Sequence, residues 1–564
     1  MSKTYSCGTR MFMVLLVVLL GGCGESTSPV AAPAPTSAPW KFGVMADTQW
    51  DAPDDGNNPN SVAVDIINQL NQQFIAAGVR FVVQVGDLSN SGSTYAMDTR
   101  ALFAQPLYNA GIGFFPLRGN HDASAAAATE FVRVFPQTVS GLQNATPADV
   151  LSSSTLNPDQ AAQPSPEKTG ASFNVGSSFS SPSASLTGLS YTFDYHDARF
   201  VLLDQFTPPD NSANTIDSQQ EWISRTLGSR PATGHAFVFT HKGVITETHP
   251  DTLFGQTPSR DPNGQNAFLA SLESSGVRYL LGGHDHVYQR SLIVSPDGAS
   301  QVEEITCASD SSKFYIPLGN LELPGTVNND VKYNNPTRET SLAQELYTVG
   351  FYIFTVDGPR VNVDFYSAMV NPTRVGPEYQ IVTTPPLAFR KRESFGYALN
   401  GREFLVPQGE PYTSVRDRFS ETTAEILDGV NDSTATDGSG RALTKEVTTG
   451  WSPQTPDSAS DILTLWGMAG DLGSADPPDV YTLSMSYAPA KAGSLSGTFG
   501  LASQDAAGTW INAVDRNSSG TKAFVLGPWV PTDAVGTYGI DPDTHTAWAV
   551  LDYSGSFAVR THLQ

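Results

Sequence analysis

LLGGHDHVYQR, residues 280–290, is the stretch on which the reading of this fold turns. An apolar run stops at Gly282-Gly283, and His284 and His286 follow with one residue between them. The chain has only nine histidines in 564 residues, so two of them where a buried strand ends call for a chemical reason.

Four other stretches share the plan. FGVMADTQ (42–49), FVVQVGDLSN (81–90), FFPLRGNHD (114–122) and AFVFTHKG (236–243) each begin as a β-branched or aromatic run of strand length. Each then ends in Asp, Asn, Gln or His. Helical patterns lie between them, among them SVAVDIINQLNQQFIAAG (61–78) and DSQQEWISRTLGS (217–229), the latter with Asp217 as the expected N-cap. Strands alternating with helices imply an α/β sheet, and such sheets place ligands at the carboxyl ends of their strands.

The strand ends deliver Asp47, Gln49, Asp87, Asn120, His121, Asp122, His241, His284 and His286. Oxygen donors and imidazoles converging on one sheet edge suit two neighbouring divalent ions, and one carboxylate can bridge ions roughly 3.5–4 Å apart. Histidines at i and i+2 can then serve one ion each.

In order, Asp47-Thr48-Gln49, Gly86-Asp87, Gly119-Asn120-His121-Asp122, His241 and Gly283-His284-Asp285-His286 resemble the signature of the calcineurin-like metallophosphoesterase superfamily. The resemblance covers roughly residues 41 to 370 and implies an α/β/β/α fold of two sheets flanked by helices. It implies a phosphoric ester hydrolase, acting on monoesters or diesters, with two divalent or trivalent ions drawn from Mn, Fe, Zn or Mg. Asp87 would bridge them, Asp47, Gln49 and His286 would hold the first, and Asn120, His241 and His284 the second. A hydroxide between the ions would attack phosphorus. His121 would face the substrate as general acid, oriented by Asp122. Gln49 stands where the family usually has histidine, and its neutral amide oxygen favours manganese or magnesium over zinc. Asn90 stands where purple acid phosphatases carry a tyrosine ligand, which argues against a ferric-tyrosinate site.

The N-terminus reads as an export signal: Lys3 and Arg10, a short apolar run from Met11 to Leu20, then Leu20-Gly21-Gly22-Cys23. The last resembles a bacterial lipobox. Residues 1–23 are expected to be a lipoprotein signal, Cys23 the lipidated first residue, and 24–40 a Pro/Ala/Ser tether. The expected location is the bacterial cell envelope, with the membrane as a partner through the lipid. With a net charge of −24, no nucleic acid polymer is expected as a partner, because phosphate backbones require Lys and Arg. A phosphate-ester substrate remains compatible, since bound cations reverse the field locally. Of three cysteines only Cys307 would remain unmodified, so no internal disulfide is expected.

The metallophosphoesterase domain is expected over 41–375, interrupted by a low-complexity insertion at 123–185. GFYIFTVDGPRVNVDFYSAM (350–369) reads as its closing hairpin. From 390 to 564 the composition shifts to Thr, Ser, Gly and Asp, and YTLSMSY, TWINAV, KAFVLGPW and TAWAVLDY read as strands of an all-β, sandwich-like domain. DGVNDSTATDGSG (428–440) reads as a solvated turn. His249 is a candidate for substrate contact, and Arg118 for either phosphate or a salt bridge. A competing function is a surface binding or adhesion lipoprotein that uses the β domain.

Overall fold

The strand Trp40–Met45 shows how the first domain is layered. Phe42 and Val44 point into one apolar cluster while Met45 joins another on the opposite face. That alternation is the period of two of a strand buried on both sides. The computed structural model describes residues 38–49, 60–141, 146–151, 178–256, 261–317, 338–376, 378–382, 385–419, 421–468, 479–492, 495–561 and 563. Cys23, the signal and nearly all of the tether lie outside the described residues.

Two sheets stack face to face. The first has six strands in the order Arg390–Ala398, Arg360–Met369, Thr348–Asp357, Trp40–Met45, Phe81–Val85 and Gly113–Leu117. The second has seven: Glu339–Glu345, Tyr288–Val294, Gln301–Thr306, Tyr279–Gly282, His235–Phe239, Ala198–Leu202 and Tyr191–Tyr195. Aromatic rings fill the space between. Phe42 stacks on Phe354 at 4.6 Å and meets Phe237 edge-on at 4.9 Å. Truncating a ring so enclosed costs roughly 3–5 kcal/mol. The helices Asn60–Ala77, Thr94–Asn109 and Ala125–Val134 cover the first sheet through Ile66, Leu70, Phe74, Met97 and Phe131. Ile216–Gly228 and Pro262–Ser274 cover the second through Trp222, Ile223, Phe268 and Leu269. The layers are α/β/β/α, as the resemblance implied.

Four local expectations change. The helix after residue 215 is capped by Thr215, whose side chain accepts from Ser218 N, while Asp217 sits in the first turn. Residues 123–141 and 146–151 are not an insertion outside the fold: Phe131, Val134, Phe135 and Val150 are buried in the helical layer. Residues 142–145 and 152–177 lie outside the described residues. The first domain does not close at 375, because Arg390–Ala398 pairs antiparallel with Arg360–Met369 as the edge strand of the first sheet. The 428–440 stretch is not freely solvated either, since Asn431 and Asp437 are buried.

Beyond Ala398 the chain is all β. Two six-stranded sheets enclose one core in which Tyr481, Leu483, Met485 and Tyr487 alternate inward. Each of the four strands expected there is present. The sandwich is fastened to the first domain by buried charge. Arg290 lies 2.9 Å from Glu303, 2.9 Å from Glu446 and 2.5 Å from Glu393. Arg278 lies 3.1 Å from Glu303 and pairs with Glu403 and Glu446. Glu403 and Glu446 belong to the sandwich. Among the described residues no helix is long and apolar enough to cross a membrane.

Candidate metal centre

Five of the ten non-glycine residues with positive φ among the described residues are expected ligands: Asp47, Gln49, Asp87, His284 and His286. L-residues rarely adopt that backbone, and it persists where surrounding structure fixes it, often at functional sites. Here each residue follows a buried strand that stops abruptly, so the turn throws its side chain onto the sheet edge. Two glycines make room. A Cβ on Gly119 would overlap the Asp87 carboxylate, and one on Gly283 would come within 2.5 Å of Asp47 Oδ2.

The side chains meet in two groups that share a member. Ligand atoms of Asp87, His241 and His284 lie within 4.8 Å of one another, as do those of Asp47, Asp87 and His286. Asn120 Oδ1 lies 2.9 Å from His241 Nε2, and Gln49 Nε2 donates to Asp87 Oδ2 at 2.7 Å. The structure therefore brings together all seven expected ligands.

The histidines are set by what holds their far nitrogens. His241 Nδ1 bonds the Val85 carbonyl at 3.0 Å, and His286 Nδ1 bonds the Lys313 carbonyl at 3.0 Å. Both leave Nε2 facing the carboxylates, the usual arrangement for a ligand imidazole. Burial disfavours charge on His241, but the Asp87 and Asp47 carboxylates outweigh it and raise its pKa to about 9. Burial, then the neighbouring His249, lowers His284 to about 4, so that ring is neutral. Asp47 is pushed well above the usual carboxylate range by burial and by Asp87. Buried carboxylates that draw a proton onto one imidazole mark a site that binds positive charge. Hard oxygen and imidazole donors with that electrostatic demand fit divalent metal ions.

His121 stands at the mouth with its side chain 33% exposed and Nε2 4.0 Å from Asp87 Oδ2. Its Nδ1 is 2.8 Å from the Asn90 carbonyl. Asp122 does not orient it. The Asp122 carboxylate instead accepts from Leu88 N at 2.7 Å, Ser89 N at 3.2 Å, Ser89 Oγ at 2.9 Å and Gly119 N at 3.3 Å. It ties the turn carrying Asp87 to the turn carrying His121. Arg118 forms a fully buried bidentate pair with Asp204, at 2.7 and 2.9 Å, and does not reach the site.

Several participants were not legible in the sequence. Lys313 Nζ donates to Asn90 Oδ1 at 2.7 Å while its carbonyl holds His286. Asp251 lies 3.2 Å from His284 Nε2 and pairs with Lys242. His249 does approach the site, its ring 4.3 Å from His284 and 4.8 Å from Tyr315, with Nδ1 3.0 Å from Asp285 Oδ1. Lys313 gave no signal, because a two-residue strand opposite Gln380 is what brings it in.

Residues 41–288 match the model of the calcineurin-like phosphoesterase family. Solved structures similar to the chain include GAP50, the anchor in the inner membrane complex of Plasmodium (13% identity, TM-score 0.34, 61% of this chain and 89% of that one). Another is the purple acid phosphatase PPD1 from yellow lupin (14%, 0.34, 60% and 52%). A third is a dimetal phosphatase from Danio rerio (17%, 0.30, 57% and 95%). No curated protein matches the chain.

Proposed function

We propose that this protein is a two-metal phosphoesterase that hydrolyses phosphate esters, exported and held at the bacterial cell envelope by a lipid on Cys23. The observation that carries the catalytic part is the pair of donor clusters meeting at Asp87. Asp47, Gln49 and His286 would hold one ion with Asp87, and Asn120, His241 and His284 the other. Bound there, the ions would activate water and neutralise charge on the phosphoryl oxygens.

The protein's own groups do the rest. With Nδ1–H donated to the Asn90 carbonyl, His121 keeps Nε2 toward the reaction centre. From there a protonated ring can pass its Nε2 proton to the departing ester oxygen. Asp122 keeps the two ligand turns in register. His249 and Tyr315 form an aromatic wall on the other side of the site. The export reading rests on the apolar run, Cys23 and the Pro/Ala/Ser tether, which would let the enzyme stand off a membrane by roughly 20–50 Å.

The test is metal analysis of the purified protein together with a panel of phosphomonoesters and phosphodiesters. Two divalent ions per chain and cleavage of at least one ester class support the reading. Protein that binds no divalent ion and cleaves neither class refutes it.

A further inference from the structure

The 431–444 segment of the sandwich reaches back onto the first domain. Thr444 N donates to the Ser341 carbonyl at 2.9 Å, and Gly438 N donates to the Gln344 side chain. At its centre Arg441 lies 2.6 Å from Asp437, 2.9 Å from Glu339 and 3.5 Å from Glu247. Glu247 is only 3% exposed, and burial together with the adjoining Glu339 carboxylate pushes its carboxyl well above the usual carboxylate range. Glu339 is buried beside it.

Glu247 sits in the segment 243–251, which delivers two side chains to the metal centre. This segment is held from beneath by carboxylates. Glu304 accepts from Val244 N at 2.6 Å and from Ile245 N at 3.4 Å. Asp285, between the two histidines of the opening motif, accepts from Glu247 N and from Thr248 Oγ1 at 2.8 Å, and holds His249. Four buried acids thus gather under one short segment, and Arg441 is the cation that faces Glu247 and Glu339. A buried carboxylate stripped of its cation is strongly unfavourable and moves toward water. Glu247 belongs to the segment that carries His249 and Asp251, so displacing it would move both.

We propose that Arg441 is a positioning residue for substrate binding: from the C-terminal sandwich it holds the 243–251 segment, and with it His249 and Asp251, against the metal centre. The sandwich is then part of the catalytic unit. The kinetic arm of this inference rests on the phosphoesterase reading, whereas the structural arm does not.

The experiment uses the full chain with Arg441→Met and with Arg441→Met combined with Glu247→Gln and Glu339→Gln. Arg441→Met should keep two metal ions per chain yet raise KM about tenfold with a smaller change in kcat, because a displaced segment removes substrate contacts made throughout the reaction. Hydrogen exchange at 243–251 should rise while 40–45 and 481–486 stay protected. Adding Glu247→Gln and Glu339→Gln removes the uncompensated charge of both acids that face Arg441 and should return KM to within about threefold of wild type, which loss of packing alone would not allow. If Arg441→Met fails to fold, Arg441→Lys should show the same rise in KM to a smaller degree. An unchanged KM in the folded variant, or no rescue by Glu247→Gln with Glu339→Gln, overturns the proposal. Should wild type cleave no ester, the phosphoesterase reading fails, and exchange at 243–251 alone decides the clamp: unchanged protection in Arg441→Met refutes it.

Discussion

Gln49 approaches Asp87 as a hydrogen-bond donor, Nε2 to Oδ2 at 2.7 Å, on the carboxylate shared by both donor clusters. A neutral amide thus stands where the family usually has an imidazole. The first ion should be held less tightly than the second and should be manganese or magnesium in preference to zinc. Gln49→His should tighten zinc at that site. Zinc titrations of both proteins, with activity followed at each stoichiometry, check this; two equal, tight zinc sites in wild type contradict it.

Asp87→Asn should weaken both ions at once, because one charge serves both clusters. Turnover should fall to near background, with metal content below one ion per chain. Metal analysis and initial rates measure it. Full activity in this variant would remove the shared carboxylate from the site.

His121→Ala should separate binding from chemistry. No metal-ligand bond is lost, so two ions should remain, while turnover falls by roughly 10²–10⁴-fold. Esters with poor leaving groups should suffer most, since they depend on the proton. Loss of metal here would make His121 a ligand.

Lys313→Met keeps the carbonyl that fixes His286 but removes the ammonium that anchors Asn90. Metal content should stay at the wild-type level. Turnover should drop about tenfold, a loss of the size expected from a small misplacement of an acid. Combined with His121→Ala it should add little further loss, which a double-mutant cycle reads directly.

Arg290→Met tests the seam between the domains. It strips the cation from Glu393 and one of the two cations facing Glu303 and Glu446, and should cost roughly 3–5 kcal/mol of unfolding free energy. Denaturant unfolding followed by tryptophan fluorescence checks it. A change below about 1 kcal/mol, the scale of a surface pair, would mean the network is not closed in solution.

The site was legible because its donors follow apolar runs of strand length, so strand and ligand announce each other. His284 and His286 are the plainest case. What was missed has physical causes. AAAATEFVRV resembles low complexity, yet alanine is the best helix former, and Phe131 and Val134 at i and i+3 carry the buried face. RKRESFGYA opens with three exposed or half-exposed basic residues and groups by composition with the C-terminal domain, although Phe395 and Tyr397 sit in the core of the first. Asp122 next to His121 suggested a partnership that a tight turn forbids, because adjacent side chains there point apart. Arg441 depended on a contact with Glu247, 194 positions away, that no local pattern records.

The strand Arg390–Ala398 also bears on how such a chain can be recombined. A fusion junction placed at the compositional shift near residue 390 would separate this strand from its sheet. Arg360–Met369, ten residues long, would then become an open edge with unpaired amides and carbonyls. Such an edge is a template for chain-to-chain pairing and aggregation. A viable breakpoint therefore lies after Ala398, in the few residues before Glu403, and even there Arg278 and Arg290 would lose sandwich carboxylates that face them. A first domain cut before Arg390 would need a new edge strand, and one cut after Ala398 would need new counter-charges, before it stayed in solution.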